Sequence, residues 1–364
     1  MTPTTLRTRL SPRLFWSALA VATLLVVLLS LLSSTTARLS PLLIVLPALA
    51  AGLGSVRQTL IASGWVLALL GVSFAYEPPE QVTDGVTETV AAIAFLALAV
   101  SACRWRTHRE RELERLRTTL VALQRQILRP LPVVTREVLM HGVYAPVEED
   151  RQVGGDIYEI VQSPFGTRVL IGDVQGKGLA AIGAGFAVLG AFREAAYREP
   201  TLSAVVDALE DAVVRHNEFA EQSGEPTRFV TALVLSIDGE PEVQAVNCGH
   251  LPPYVLDGPG GHGPLDLADT AVPLGLAALS SEPRVVQWFD LPERTTLLLY
   301  TDGVSEARDR SGAFYPLEER LPELAGLPAA DLVTALRADI DRFTAGARRD
   351  DIAALSLRRA PALH

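Results

Sequence analysis

Four short acidic segments, far apart in the chain, carry the residues able to do chemistry. They are Gly154-Gly155-Asp156, Gly172-Asp173-Val174-Gln175-Gly176-Lys177-Gly178, Tyr300-Thr301-Asp302-Gly303 and Arg349-Asp350-Asp351. The last three set an Asp at the edge of a run rich in Val, Ile, Leu or Ala. A buried strand that ends in a carboxylate offers the hard oxygen donors that suit Mg²⁺ or Mn²⁺. Four such ends brought together make a two-metal site able to activate water against a phosphate ester. Taken singly, an Asp beside a Gly reads as a turn or a helix cap, and Asp302 would cap a short helix running toward Ala307. The joint occurrence is what points to metal. No His or Cys cluster competes, and Cys103 and Cys248 give neither a disulfide framework nor a zinc spacing.

Holding these carboxylates together requires strands that end at one place. After Val133 the apolar runs predict strands at 138–144, 157–161, 168–172, 229–237, 243–246, 285–289, 295–300 and 352–357. Helical patterns cover 179–198, 202–219 and 329–343. Strands come in successive runs rather than alternating with helices, which predicts an α+β fold of antiparallel sheets with helices packed outside. The Gly- and Pro-rich stretch 258–264 reads as a surface turn.

The chain of 364 residues is 49% hydrophobic, and the excess sits before Arg104. Apolar runs at 14–32, 42–53, 60–76 and 90–103 predict an all-α membrane module of about four transmembrane helices over residues 1–103. Arg7, Arg9 and Arg13 precede the first run, Arg57 lies between the second and third, and Arg104, Arg106, Arg109 and Arg111 follow the fourth. The loop 77–80 carries no Lys or Arg. Four spans place both basic ends in the cytoplasm, giving a multi-pass protein of the cell membrane with a cytoplasmic C-terminal domain. Glu88 lies near the outer end of the fourth run and reads as interfacial, which argues against transport. The segment 104–132 reads as a connecting helix ended by Pro130 and Pro132, with a short seam of Leu113, Leu116, Leu120, Leu123 and Ile127 that would suit a homodimer. The net charge of −10 with no basic face argues against nucleic acid as a partner.

Seven pieces occur together and in order in residues 133–364: Gly154-Gly155-Asp156, the 172–178 segment, Phe229-Val230-Thr231-Ala232, Asn247-Cys248-Gly249-His250, Pro273-Leu274-Gly275-Leu276, Tyr300-Thr301-Asp302-Gly303-Val304 and Asp350-Asp351-Ile352. This set resembles the bacterial branch of the PPM (PP2C-like) serine/threonine phosphatases, the SpoIIE/RsbU type. The resemblance implies a sandwich of two antiparallel sheets flanked by helices, with two Mn²⁺ or Mg²⁺ ions in a cleft at one end. Carried over residue by residue, it makes Asp156, Asp173, Asp302 and Asp350 metal ligands together with the backbone carbonyl of Val174, and makes Asp351 a neighbour that positions the loop. The adjacency of Asp350 and Asp351 leaves open which of the two coordinates. The resemblance also implies hydrolysis of phosphoserine or phosphothreonine, with a phosphorylated anti-anti-sigma (STAS) protein as substrate.

The chain departs from the family pattern at Gln175, where relatives carry Ser or His, and at Glu159, which replaces an Asp and whose longer side chain would shift a water beside the metals without abolishing ligation. The general acid is left unassigned. Lys177 reads equally as a phosphate contact or a solvated loop lysine, and His250 as structural. Arg228, Arg308, Arg348 and Arg349 read as surface residues or phosphate contacts. Two other functions compete. A sensor histidine kinase would explain membrane spans and a dimerising helix but leaves Asp302 and Asp350 without roles. A catalytically inactive scaffold would bind a phosphoprotein without turning it over.

Overall fold

A computed structural model describes residues 12–32, 43–75, 82–145, 155–257, 261–293, 295–346 and 350–360. Arg7, Arg9, Gly154, Arg348, Arg349 and the segments 77–80 and 258–260 lie outside the described residues. So do the side chains of Glu88 and of the seam residues Leu113, Leu116, Leu120, Leu123 and Ile127. The chain divides into two compact units, Met1–Leu116 and Arg117–His364.

Four helices account for the apolar runs: α1 (Pro12–Leu32), α2 (Val45–Leu53), α3 (Val56–Ala75) and α4 (Val82–Ile127). Phe15, Leu19, Ala50 and Ala62 pack together, and Leu43, Val66, Leu70 and Ala92 form a second small cluster. Leu14, Trp16, Leu24, Val72, Val90 and Leu98 stay exposed, so these helices are apolar on more than their packed faces. Among the described residues one stretch, Thr89–Glu112, is long and apolar enough to cross a bilayer; Arg13–Leu25 and Val56–Val72 are shorter apolar stretches. The expected module of four spanning helices is therefore not supported as a whole. α2 makes the reason plain, since nine residues rise about 14 Å where a bilayer core is about 30 Å thick. Arg106 donates to the carbonyls of Gly52 (2.7 Å) and Gly54 (2.5 Å), closing the C-terminal end of α2, and stands 3.6 Å from Glu110. Arg109 lies over the Trp105 ring.

The strands of the second unit are β1 (Val133–Val134), β2 (Val138–Ala145), β3 (Asp156–Ser163), β4 (Gly166–Val174), β5 (Val230–Ile237), β6 (Glu242–Cys248), β7 (Tyr254–Leu256), β8 (His262–Pro264), β9 (Thr270–Ala271), β10 (Gln287–Asp290), β11 (Thr296–Tyr300) and β12 (Ile352–Arg359). Its helices are α5 (Leu179–Arg198), α6 (Leu202–Gln222), α7 (Asp302–Ser305), α8 (Leu317–Leu324) and α9 (Ala329–Phe343). One sheet has the order β1-β2-β12-β11-β7-β8 and the other β10-β6-β5-β4-β3, with β9 beside β6. Every pairing between these strands is antiparallel except the short one between β6 and β9. The expected strands all form, within a few residues at each end. The expectation of a bare turn at 258–264 is corrected, because His262–Pro264 pairs with β7.

Side-chain alternation explains the layers. On β11, Leu297 and Leu299 enter the main core while Leu298 and Tyr300 enter a second core; on β12, Leu355 and Leu357 divide from Ile352 and Ala354 in the same way. The main core fills the space between the sheets and extends under α5 and α6, through Val188, Phe192 and Val205. The second core lies on the other face of the β11/β12 sheet, closed by Leu321, Leu332 and Leu336 of α8 and α9. The result is a four-layer sandwich, helices outside both sheets. Arg168 on β4 is 1% exposed and donates to the carbonyls of Glu199, Pro200 and Thr201, tying the sheet to the turn between α5 and α6. Those hydrogen bonds compensate a burial that an unpaired guanidinium would not tolerate.

Candidate metal centre

Strand register makes the first carboxylate pair. In the β3–β4 hairpin Asp156 stands directly opposite Asp173. The third carboxylate comes from the other sheet, where the chain leaves β11 at Tyr300 and turns into α7 with Asp302 in its first turn. One oxygen from each of Asp156, Asp173 and Asp302 lies within 4.8 Å of the others. Three of the predicted acidic residues are thus brought together. Asp350 is at their border rather than in that trio. Its Oδ1 is 3.0 Å from Lys177 Nζ and accepts from the Asp351 amide at 3.0 Å. Asp351 is buried, and its Oδ2 accepts from the Tyr144 hydroxyl at 3.2 Å.

The electrostatics follow from this crowding. Burial first, and then the charge of Asp173, hold the Asp156 carboxyl well above the usual carboxylate range. Asp173 is pushed up to about 7 by burial and then by Asp302, Asp350 and Asp351. Asp302 is raised by burial, Asp350 and Glu306. Like charges held close in a water-poor site favour the protonated form unless a cation neutralises them. Burial and the nearby acids also raise the Tyr144 hydroxyl, which keeps it a donor to Asp351.

Thr301 is the residue the sequence reading did not credit. It is fully buried; its Oγ1 donates to Asp156 Oδ2 at 2.7 Å and accepts from the Ala353 amide at 3.1 Å, while its own amide donates to the Ala353 carbonyl at 3.0 Å. One hydroxyl therefore fastens a carboxylate of one sheet to β11 and β12 of the other. The only signal in the sequence was a Thr beside a strand-end Asp. Two glycines give the site its closeness. A Cβ on Gly155 would stand 2.5 Å from the Val174 carbonyl oxygen and 2.8 Å from Asp173 Oδ1, and one on Gly303 would run into the Asp351 carbonyl. The Val174 carbonyl and the Asp173 carboxylate thus share the space beside Gly155.

The remaining candidates fall outside the trio. Glu159 is three residues along β3 from Asp156, so it points to the opposite face. There it is buried and paired with Arg193, with Arg129 at 3.8 Å. It supports the α5 side of the sheet, and the expectation that its longer side chain shifts a water beside the metals is corrected. His250 is buried, bonded through its backbone to Asn247, and its Nδ1 is 3.2 Å from Thr231 Oγ1. Burial pushes its imidazole down to about 4, partly offset by the Tyr300 backbone. Thr231 is the cross-strand partner of Asp173, so His250 acts as a support. Gln175 is exposed; its amide donates to Phe229 and its carbonyl accepts from Arg228 Nη1 at 2.9 Å. Arg228 thus braces the 172–178 segment. Arg308 covers the Phe314 ring. Glu210 of α6, also uncredited by sequence, is buried and accepts from the amides of Gly275 and Ala277 and from Arg284. It explains the Pro273–Leu276 motif as a loop pinned to that helix. Cys103 and Cys248 are buried free thiols.

The sandwich with carboxylates at one end is a PP2C-type phosphatase fold. The SiaA-PP2C domain of Pseudomonas aeruginosa superposes with a TM-score of 0.56 at 18% identity, covering 69% of this chain and 98% of that one. The RsbU and RsbW domains of Rv1364c from Mycobacterium tuberculosis match at 23% identity and a TM-score of 0.46, over 63% of this chain and 62% of that one. The PP2C phosphatase domain and regulatory fragment of SpoIIE from Bacillus subtilis match at 14% identity and a TM-score of 0.49, over 62% and 66%. This chain therefore spans less than two thirds of the length of the Rv1364c and SpoIIE structures. A search of curated proteins gave no match. The family model of Stage II sporulation protein E (SpoIIE) matches residues 163–360, more than half of the chain. The chain belongs to this SpoIIE family.

Proposed function

We propose that this chain is a membrane-tethered, metal-dependent phosphoserine/phosphothreonine protein phosphatase that acts on a phosphorylated anti-anti-sigma (STAS) regulator. The convergence of Asp156, Asp173 and Asp302 within 4.8 Å carries the reading. The donor set fits Mn²⁺ or Mg²⁺: it is all oxygen, crowded and electrostatically strained without a cation. In this reading Asp156, Asp173, Asp302 and the Val174 carbonyl hold two ions, and Asp350 joins them from beside Lys177. Bound there, the ions supply Lewis acidity, which lowers the pKa of a water and neutralises charge on the phosphoryl oxygens.

The chain's own residues do the positioning. Thr301 fixes the rotation of Asp156, Tyr144 anchors Asp351, and Lys177 holds Asp350 at the border of the site. Burial of Asp156 keeps bulk water from screening its carboxylate. Hydrolysis forms one P–O bond from water, breaks the P–O bond to the serine or threonine, and returns a proton to the leaving oxygen. His250 is buried behind Thr231, so we assign that proton to water.

The test is phosphate release by the full-length chain in detergent, from p-nitrophenyl phosphate and from phosphorylated STAS and unrelated phosphoserine proteins, with Mn²⁺ or with EDTA. Turnover with Mn²⁺ alone, and faster on the STAS protein, is expected; turnover that persists in EDTA would remove the metal mechanism. Metal binding also carries a pH signature. Asp173 has a folded pKa of about 7 against an unfolded value of about 3.9. Its raised pKa favours the fold below about pH 4, and this contribution is lost as pH rises through about 7. A cation relieves that loss, so Mn²⁺ is expected to raise Tm more at pH 8 than at pH 5.5. Equal shifts at the two pH values would argue for binding elsewhere.

Membrane tethering draws support from Thr89–Glu112 and from the exposed apolar residues of α1 to α4. Flotation with liposomes after detergent removal is expected; recovery in the soluble fraction would count against it. A homodimer through the 104–132 helix is part of the same reading, tested by the mass of the detergent-solubilised particle.

A further inference from the structure

The helix α4 has two faces, and one of them changes chemistry along its length. Ala92, Leu96, Ala99 and Cys103 are buried, at the spacing of a single helical stripe. Arg106 continues that stripe, where it donates to the carbonyls of Gly52 and Gly54 and pairs with Glu110. The opposite face is exposed. It first carries Val90, Ile93, Ala97 and Leu98. One turn further on it carries Trp105, 65% exposed, and then Arg104, Arg109 and Arg111 are all exposed around that ring. The Arg109 guanidinium lies over the Trp105 ring, 4.9 Å from its centre. None of these three arginines has an ion-pair partner among the described residues. Glu112 is the one fully exposed acid among the described side chains of 101–112, so the face keeps an excess of positive charge.

The order along that face, apolar and then Trp and then Arg, is the order of a bilayer from hydrocarbon to headgroup. A solvated helix face would have no use for exposed Val90, Ile93 and Leu98 directly before the arginines. From Arg104 to Arg111 the helix rises about 10 Å, and a headgroup layer is about 5–8 Å deep. Side chains on a helix lean toward its N-terminus, so the arginines reach back toward the apolar stretch. Guanidinium forks match phosphate oxygens in pairs. In a zwitterionic lipid the choline already neutralises the phosphate, whereas an anionic lipid leaves it free to pair. We propose that Arg104, Arg109 and Arg111, grouped around Trp105, bind the phosphates of anionic phospholipids in the leaflet where α4 leaves the membrane. This inference rests on the membrane-tethering reading and adds lipid selectivity to it.

The experiment reconstitutes the full-length chain in phosphatidylcholine vesicles and adds lipids brominated high in the acyl chain, either phosphatidylglycerol or phosphatidylcholine. The signal is the quenching of Trp105, taken as the fluorescence that a Trp105→Phe variant lacks. Brominated phosphatidylglycerol is expected to occupy the site about fivefold more readily than brominated phosphatidylcholine, with the preference falling in 0.5 M salt. The Arg104→Gln/Arg109→Gln/Arg111→Gln triple variant is expected to lose that preference while phosphatidylcholine still quenches Trp105 as in the parent. Equal quenching by the two lipids in the parent, or a preference that survives the triple variant, overturns the proposal. If the parent does not enter phosphatidylcholine vesicles at all, the tethering reading fails, and flotation with phosphatidylglycerol vesicles still reads the face. Flotation lost in the triple variant then supports the proposal; no flotation overturns it. Retention of the parent on duplex DNA without any lipid preference, lost in the triple variant, would assign the face to nucleic acid and overturn it as well.

Discussion

Asp173→Asn and Asp302→Asn are each expected to lower Mn²⁺-dependent phosphate release by about a thousandfold or more, a loss on the scale of removing a main source of electrostatic stabilisation. Asn preserves the size of Asp and one carbonyl oxygen, so the loss isolates the charge. Asp173 is the more instructive of the two, because burial and three neighbouring acids act on it at once. The metal-free protein gives an independent readout with the opposite sign. At pH 8 the ionised Asp173 opposes folding, so Asp173→Asn is expected to raise the metal-free Tm by about 5 °C, with little change at pH 4 where the parent carboxyl is protonated. The gain in Tm on adding Mn²⁺ is expected to shrink in the same variant. A variant that is more stable without metal and inactive with it separates loss of a ligand from loss of the fold. An Asp173→Asn protein that binds Mn²⁺ and turns over substrate like the parent would falsify its role as a ligand.

Thr301→Val is expected to lower kcat about 10- to 100-fold and to raise the Mn²⁺ concentration needed for half-maximal activity, the range typical when a group that orients a ligand is lost. Valine matches threonine in shape but lacks the hydroxyl that donates to Asp156 and accepts from Ala353. Two buried groups lose a partner, so a stability loss of about 1–3 kcal/mol accompanies the change. Thr301→Ser restores the hydroxyl and is expected to recover most of both effects. The contrast between Val and Ser is the decisive measurement. If Val and Ser behave alike in kcat and in Mn²⁺ dependence, Thr301 serves packing only.

Much of the fold was legible because its long strands are apolar and bounded by turns. The predicted 168–172 and 352–357 strands grow only by a few residues to β4 and β12, and the helix at 329–343 matches α9. The misses share a cause. β7 and β8 are three residues each and flank a Gly- and Pro-rich stretch, too short for a period to show. α8 has Pro316 before it and Pro322 inside it, which masks its helical pattern. The N-terminal apolar runs were read as about four transmembrane spans; helices form at each run, but among the described residues one stretch, Thr89–Glu112, is long and apolar enough to cross a bilayer, and α2 has only nine residues.

The residues alone determined that this chain has oxygen donors for a hard cation, strands to present them and a family to which the pattern belongs, since these depend on side-chain type and order. Only the tertiary structure decided which donors meet. Asp156 faces Asp173 because of one hairpin register, and shifting it by one residue would exchange the faces of β3, putting Glu159 on the side that Asp156 occupies. Thr301 reaches Asp156 across 145 positions of sequence because two sheets pack face to face. Asp350 stands beside Lys177 while Asp351 turns inward to Tyr144, although the two are adjacent. Side-chain type sets what an atom can bind. Register and sheet packing set the ångström-scale distances, and those arise from contacts among residues remote in the chain.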